Sequence, residues 1–473
     1  MNICFRSSLL TAYLARYPHM NVLDSTPKSP HRTLALTMAL IFLVIAPLSY
    51  AERDSLREIY ALAQSNDHQL KSDYAEYLAG KEVAAINRAV LRPQITGTAS
   101  VSRANTDNSG STSSKTDTDN NTYGIALTQQ LLNTNAWNTY AQGKSQAQLA
   151  QATYAASEQE LIIRSAQAYF DTLRAIDQLQ TDTAEEKAQA TLLEQTKQRY
   201  EVGLISINDV HETQAAYDSA TANRINSEAN VGIQLDALTV ITGKLHDDIV
   251  PLKENFEVVE PEPKNKQAWV DFALANNLSL KVSNLRAEAS QLGAKAAKSN
   301  HLPTLTGSIN YSDSNTDIDT AGSTRADNNS ATTTFSINFN MPLYTGGSLS
   351  ARERQAVQTS IRDQEDLLFT RRSTIHDTRS LYLSVTTDIA QLKARKQAIL
   401  SNESALSATK AGYDAGTRDI VDVVNAQSNL FQAQRNRLDT LYDYIINTLL
   451  LKQASGLLQV SDIDQLNDSL DIQ

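Results

Sequence analysis

The sequence predicts an α+β chain made of two tandem copies of one unit, each a pair of amphipathic strands fused to a long helical hairpin. Three observations predict it. First, stretches recur: Pro93–Ser100 (PQITGTAS) returns as Pro303–Asn310 (PTLTGSIN), Tyr200–Gly203 (YEVG) as Tyr413–Gly416 (YDAG), and Thr242-Gly243 as Ser455-Gly456. A period of roughly 210 residues is far longer than a solenoid unit, so it marks a duplicated supersecondary unit. Second, each copy holds segments of period two. Third, each holds a very long run without proline. The chain has 473 residues with only 16 Gly, 10 Pro and 6% aromatics, a composition of few tight turns and long elements.

Taken in order, residues 1–51 read as a signal peptide. Arg32 precedes the apolar run Leu34–Leu48, and Ser49-Tyr50-Ala51 offers small residues where a signal peptidase reads. The run is short for a bilayer span; a membrane anchor is the alternative. A start at Met20 instead of Met1 would shorten a long leader, and N-terminal mapping of the precursor separates the two. Cleavage after Ala51 would remove Cys4, the only cysteine, leaving no disulfide or thiol chemistry. The chain is acidic, with formal net charge −11, and the leader carries four bases against one acid. That acidity argues against nucleic acid as a partner.

The first copy spans 52–243, with a hairpin over 94–130; a Pro-bearing linker, 244–266, leads to the second copy, 267–456, with a hairpin over 304–341. Residues 457–473 form a tail without strong pattern. In Gln94–Ser102, Ile95, Gly97, Ala99 and Val101 alternate with Thr and Ser; in the second copy Leu305, Gly307, Ile309 and Tyr311, then Phe335, Ile337 and Phe339, do the same. Between the strands, Ala104–Asn121 and Asp313–Ala331 are polar and are expected to be long solvated loops. A small sheet on helices is one reading of such strands; a membrane barrel, apolar outside and polar inside, is the other. Four strands cannot close a barrel, and open edges in lipid leave backbone groups unpaired, so a barrel requires several protomers.

The helices follow each hairpin. Asn133–Val202 contains no proline, and Ile162, Ala166, Tyr169, Leu173 and Ile176 keep coiled-coil spacing. Gly203 breaks the run, and a second helix follows from about Asn208 to Gly243. The second copy runs Leu349 to Tyr413, breaks at Gly416, and continues from Asp419 to Gly456. There Phe431, Gln434, Leu438, Leu441 and Ile445 hold the seam. Shorter helices, Leu56–Leu91 and Ala268–His301, precede Pro93 and Pro303. The linker is expected to wrap the outside.

These residues resemble the TolC family of outer-membrane efflux and secretion channels. The carrying stretches are Ala411–Val424 (AGYDAGTRDIVDVV), Gln198–Leu204 with Asn208–Val210, His301–Thr304 and Met341–Gly347. The resemblance implies a homotrimer in the outer membrane with a periplasmic extension: a shared twelve-stranded barrel continuing into a coiled-coil α-helical tunnel. It implies docking at the turns Gly203-Leu204 and Gly416-Thr417 onto a periplasmic adaptor (membrane fusion) protein, and beyond it an inner-membrane transporter of RND, ABC or MFS type. It also implies a gate network of Asp209, Tyr413 and Arg418 and an acidic entrance ring of Asp422. Asn425 stands where the family often has a second acid, which puts a second ring in doubt.

From the residues alone a simpler reading stays open. Asp209 and Asp422 lie in first helical turns, where a carboxylate complements the helix dipole; Tyr413 could pack and Arg418 be solvated. A non-conducting trimeric stalk remains the alternative function. The histidines His68, His211, His246, His301 and His376 are isolated, and no zinc-protease, P-loop or dinucleotide motif occurs. No enzymatic activity, cofactor or metal is expected, and the cargo is not readable.

Overall fold

A computed structural model describes residues 53–109 and 114–471; the leader, with Met20, lies outside them. Thirteen elements follow among the described residues: α1 (Leu56–Asn66), α2 (His68–Ala89), β1 (Gln94–Asn108), β2 (Ser114–Leu132), α3 (Thr134–Glu201), α4 (Ile207–Thr242), α5 (Lys266–Asn276), α6 (Leu278–Ser299), β3 (Thr304–Thr320), β4 (Ala326–Asn340), α7 (Ser348–Asp414), α8 (Ile420–Ala454) and α9 (Val460–Asn467). The duplication is visible in this order, since α1–α4 with β1–β2 matches α5–α8 with β3–β4.

Each expected helix before a hairpin is in fact two. Asp67 and Asn277 break them: Asp67 accepts from the Leu70 N–H at 2.6 Å and Asn277 from the Leu280 N–H at 2.8 Å, so each short polar side chain caps a new helix. Arg164 of α3 grips Asp67 with both terminal nitrogens. Burial alone would raise the Asp67 carboxyl, but Arg164 and the Leu70 N–H more than offset it and hold it below its ordinary value. The tail also differs from expectation, because α9 tucks Ile463 into the core and Leu470 follows it.

The four strands form one antiparallel sheet in the order β1-β2-β3-β4. The loops expected at Ala104–Asn121 and Asp313–Ala331 are mostly strand, since β1 and β2 pair out to Asn108↔Ser114 and β3 and β4 to Ile318↔Ala326. Threonine suits strands, and its hydroxyls and neighbouring amides bond across them: Thr122 with Ser314 at 3.2 Å, Thr316 with Asn120 at 3.1 Å. The register aligns the faces. Ile95, Leu127, Ile309 and Phe335 form one cross-strand row, and Leu305 opposes Phe339. Of this face Ile95, Val101, Tyr123, Ile125, Phe335, Ile337 and Phe339 are exposed. Along the same face, beyond the apolar residues, sit the ion pairs Arg103–Asp119 and Arg325–Asp317. The opposite face is hydroxyl and amide, for example Ser308 with Ser336 at 2.6 Å.

At 1.5 Å per residue, the 68 residues of α3 extend about 100 Å. The main core lies where α3 and α8 cross the short elements: Leu161, Ala166, Tyr169, Phe170 and Leu173 pack with Leu56, Leu238, Tyr442 and Ile445. The predicted seam residues Ile162, Ala166, Tyr169 and Leu173 are buried there, as is Ile445. The linker inserts Ile249 and Val250 into this core instead of only wrapping it, and Tyr169 donates to the Val250 carbonyl at 2.6 Å.

Candidate functional site at the helical tips

Away from the main core, a second small cluster closes the far end of the hairpins: Leu192, Ile420 and Val423, with Leu406, Tyr413 and Val424 against them. Both tips are built alike. Gly203 has φ 77° and Gly416 φ 71°, the left-handed region that glycine enters without steric cost. The Leu204 N–H bonds to the Arg199 carbonyl and the Gly203 N–H to that of Tyr200; Thr417 bonds to Gly412 and Gly416 to Tyr413 in the same pattern. This is the paired bonding that satisfies the last carbonyls of a helix. Leu204 and Thr417 are exposed, so both turns present free surface.

The candidate gate residues separate into three settings. Arg418, just before α8, reaches forward to Asp422 in its first turn at 3.3 Å, both half-exposed. Tyr413 is covered by the Arg199 guanidinium, 4.9 Å from its ring centre, and its hydroxyl is buried without a partner. Asp209 serves its own helix start, accepting from the Ser206 N–H at 3.3 Å. Asn425 is exposed. One chain therefore joins Arg418 to Asp422, while Asp209 bonds to neither Tyr413 nor Arg418.

Three residues at this site were not singled out from sequence. Arg199 donates to Asp414 at 2.6 Å. Gly412 is the third; a Cβ there would stand 2.7 Å from Arg418 Cγ, so its missing side chain makes room for the Arg418 stem. The signal was in the duplication: the repeat aligns Arg199 with Gly412 and Ile205 with Arg418, so each copy has one tip arginine in a different place. A cavity of about 210 Å³ lies beside Tyr413, lined by Arg199, Lys410, Thr191 and Gln427 among others. Among the described residues there is no cluster of groups able to hold a metal, and no helix is long and apolar enough to cross a membrane.

A family model described as outer membrane efflux protein matches residues 59–244 and 269–457, one match per copy. The outer membrane protein TolC of Vibrio cholerae is 35% identical over 419 residues, covering 89% of this chain and 94% of the relative. TolC of Escherichia coli is 32% identical over 436 residues, covering 89% and 86%. Among solved structures, the Campylobacter jejuni CmeC outer membrane channel superposes with TM-score 0.74 at 16% identity, covering 98% of this chain and 99% of that one, a likeness of fold. With the duplicated strand pair, the long hairpins and both halves of the family model in place, the chain belongs to the outer membrane efflux protein family, a family of channels rather than of enzymes.

Proposed function

We propose that this outer-membrane exit duct for efflux or type I secretion works as a homotrimer whose periplasmic tips form its gate. The observation that carries the proposal is the sheet. Its apolar face is exposed and in register across all four strands, its other face is hydroxyl-lined, and β1 and β4 are free edges. Open edges are not tolerated in lipid, and closed cyclic symmetry removes them by pairing β1 of one copy with β4 of the next. The long hairpins then continue the lumen away from the membrane.

At the tips, Tyr413 and Arg418 supply the donors of the gate and Asp422 its acidic ring. Asp209 bonds to neither of them within one chain, so its part in the network needs a neighbouring protomer. The turns at Gly203-Leu204 and Gly416-Thr417 would meet a periplasmic adaptor, which couples the duct to an inner-membrane transporter of RND, ABC or MFS type. The test is conductance of the purified trimer in planar bilayers. Tyr413→Phe with Arg418→Glu should raise single-channel conductance, and Asp422→Asn should weaken preference for cations. Unchanged conductance in the first variant would sink the gate; an insulating wild type together with an insulating variant would favour a stalk.

A further inference from the structure

The gate residues above come from the second copy and from Asp209. The geometry points to one more, from the first. Arg199 lies in the last turn of α3, and the helices packed along α3 are α1, α2, α4, α6, α8 and α9. At the tip, Arg199 reaches past these to α7. There it covers the ring of Tyr413 and pairs with Asp414 at 2.6 Å. Its guanidinium is raised above its ordinary value, chiefly by the Asp414 hydrogen bond, with Tyr413 adding to it. A planar guanidinium is suited to both contacts at once, a stack on one face and an in-plane bond to a carboxylate.

We propose that Arg199 is a positioning residue of the gate: it fastens the α7–α8 hairpin to α3 in the closed duct, so releasing it frees that hairpin to move. The proposal rests on the gate reading above. Two features of this chain support it. The lateral hold on α7 at the tip is otherwise sparse, since the small apolar cluster there draws on α3 and α8 for its buried members, with α7 giving only partly buried Leu406 and Tyr413. The cavity beside Tyr413 leaves part of its surroundings open, so the ring is held by Arg199 together with the small apolar cluster it packs against. The duplication gives the reason Arg199 has no counterpart. Its equivalent is Gly412, which must stay bare for the Arg418 stem, so the two tip arginines divide the work: one spans two hairpins, the other braces its own helix.

The test is single-channel conductance of purified trimers carrying Arg199→Glu, Asp414→Arg, or both. Asp414 is mostly exposed and Arg199, at 38%, is partly covered, so trimer yield should stay at the wild-type value and the melting temperature close to it. Each pair is weak alone, but three symmetric copies together should shift the closed-to-open ratio by about tenfold. Either single variant should then raise conductance, and the charge swap should bring it back below both singles. Singles that conduct like wild type, while Tyr413→Phe with Arg418→Glu opens, would overturn the role of Arg199 and leave the gate standing. Singles that open without rescue by the swap would also overturn it, because the contact would not be the cause. If no variant opens, the gate reading itself fails.

Discussion

At the scale of single residues, glycines with the same backbone angle do different work. Gly416 and Gly456 have φ 71° and 70°. A Cβ at Gly416 would meet open space, whereas at Gly456 it would lie 2.4 Å from the Asn276 carbonyl oxygen. Gly416→Ala therefore costs only the left-handed strain, about 1–2 kcal/mol. Gly456→Ala must also push α8 away from the end of α5, and we expect it to cost more than twice as much. Urea unfolding of the two variants checks this; equal losses would show that the close approach at Asn276 carries no energy. Gly412 presents a third case, in which the empty space belongs to a side chain. Gly412→Ala should displace Arg418 and weaken its contact with Asp422, measurable as a rise in conductance smaller than that expected for Tyr413→Phe with Arg418→Glu.

At the scale of elements, a buried ionic knot ties three helices from both copies. Arg435 of α8 donates to Asp182 at 2.9 Å and to Glu185 at 2.6 Å, both on α3, and Ser227 of α4 bonds Asp182. All three charged side chains are mostly buried, Asp182 and Glu185 almost wholly. Arg435→Met would strand two carboxylates and should destabilise by about 3–5 kcal/mol; Arg435→Met with Asp182→Asn and Glu185→Gln should recover most of it. A single variant as stable as wild type would show that water reaches the carboxylates. Helix ends were legible from sequence because the marks are local: Gly203 and Gly416 fall where the helices stop. The seam of α3 was legible because burial follows spacing. The knot was not, because Arg435, Asp182 and Glu185 look like solvated charges until the helices are set side by side. The outer halves of the strands were hidden for the opposite reason. Past Val101 both faces turn polar, the alternation disappears, and only pairing with neighbours keeps Thr116 or Asn328 in a strand. The tip motif YDAGTRD marked the place of the gate. The partners of Tyr413 could not be read, because Arg199 comes from the other copy.

At the scale of the whole molecule, charge is distributed so that stability should peak in mild acid. Asp171 and Asp177 of α3, Asp388 of α7 and Asp439 of α8 all have carboxyls raised above the ordinary value, each chiefly by burial. The hydrogen bond from Tyr442 offsets part of this at Asp177, Asn447 part of it at Asp388, and Arg174 part of it at Asp171; Asp443 adds to the rise at Asp171, Asp388 and Asp439. Such groups bind protons more tightly folded than unfolded. Their contribution is favourable below the unfolded value and is lost as pH rises through the folded one. Asp54 and Asp67 behave in the opposite way. Burial would raise them, but Lys244 and His246 at Asp54, and Arg164 at Asp67, hold both below the ordinary 3.8. Their stabilisation is present above that value and is lost as pH falls through the folded one. The melting temperature of the detergent-purified protein should therefore rise as pH falls from neutral toward the ordinary carboxylate value of 3.8, and fall again as pH drops below it. Asp177→Asn keeps an acceptor for Tyr442 while removing one raised carboxyl, so it should raise the melting temperature at neutral pH and flatten the rise on mild acidification. A melting temperature that falls steadily from pH 7 downward would mean that these aspartates are solvated in the assembled protein, and that the acid-side loss at Asp54 and Asp67 governs the whole range.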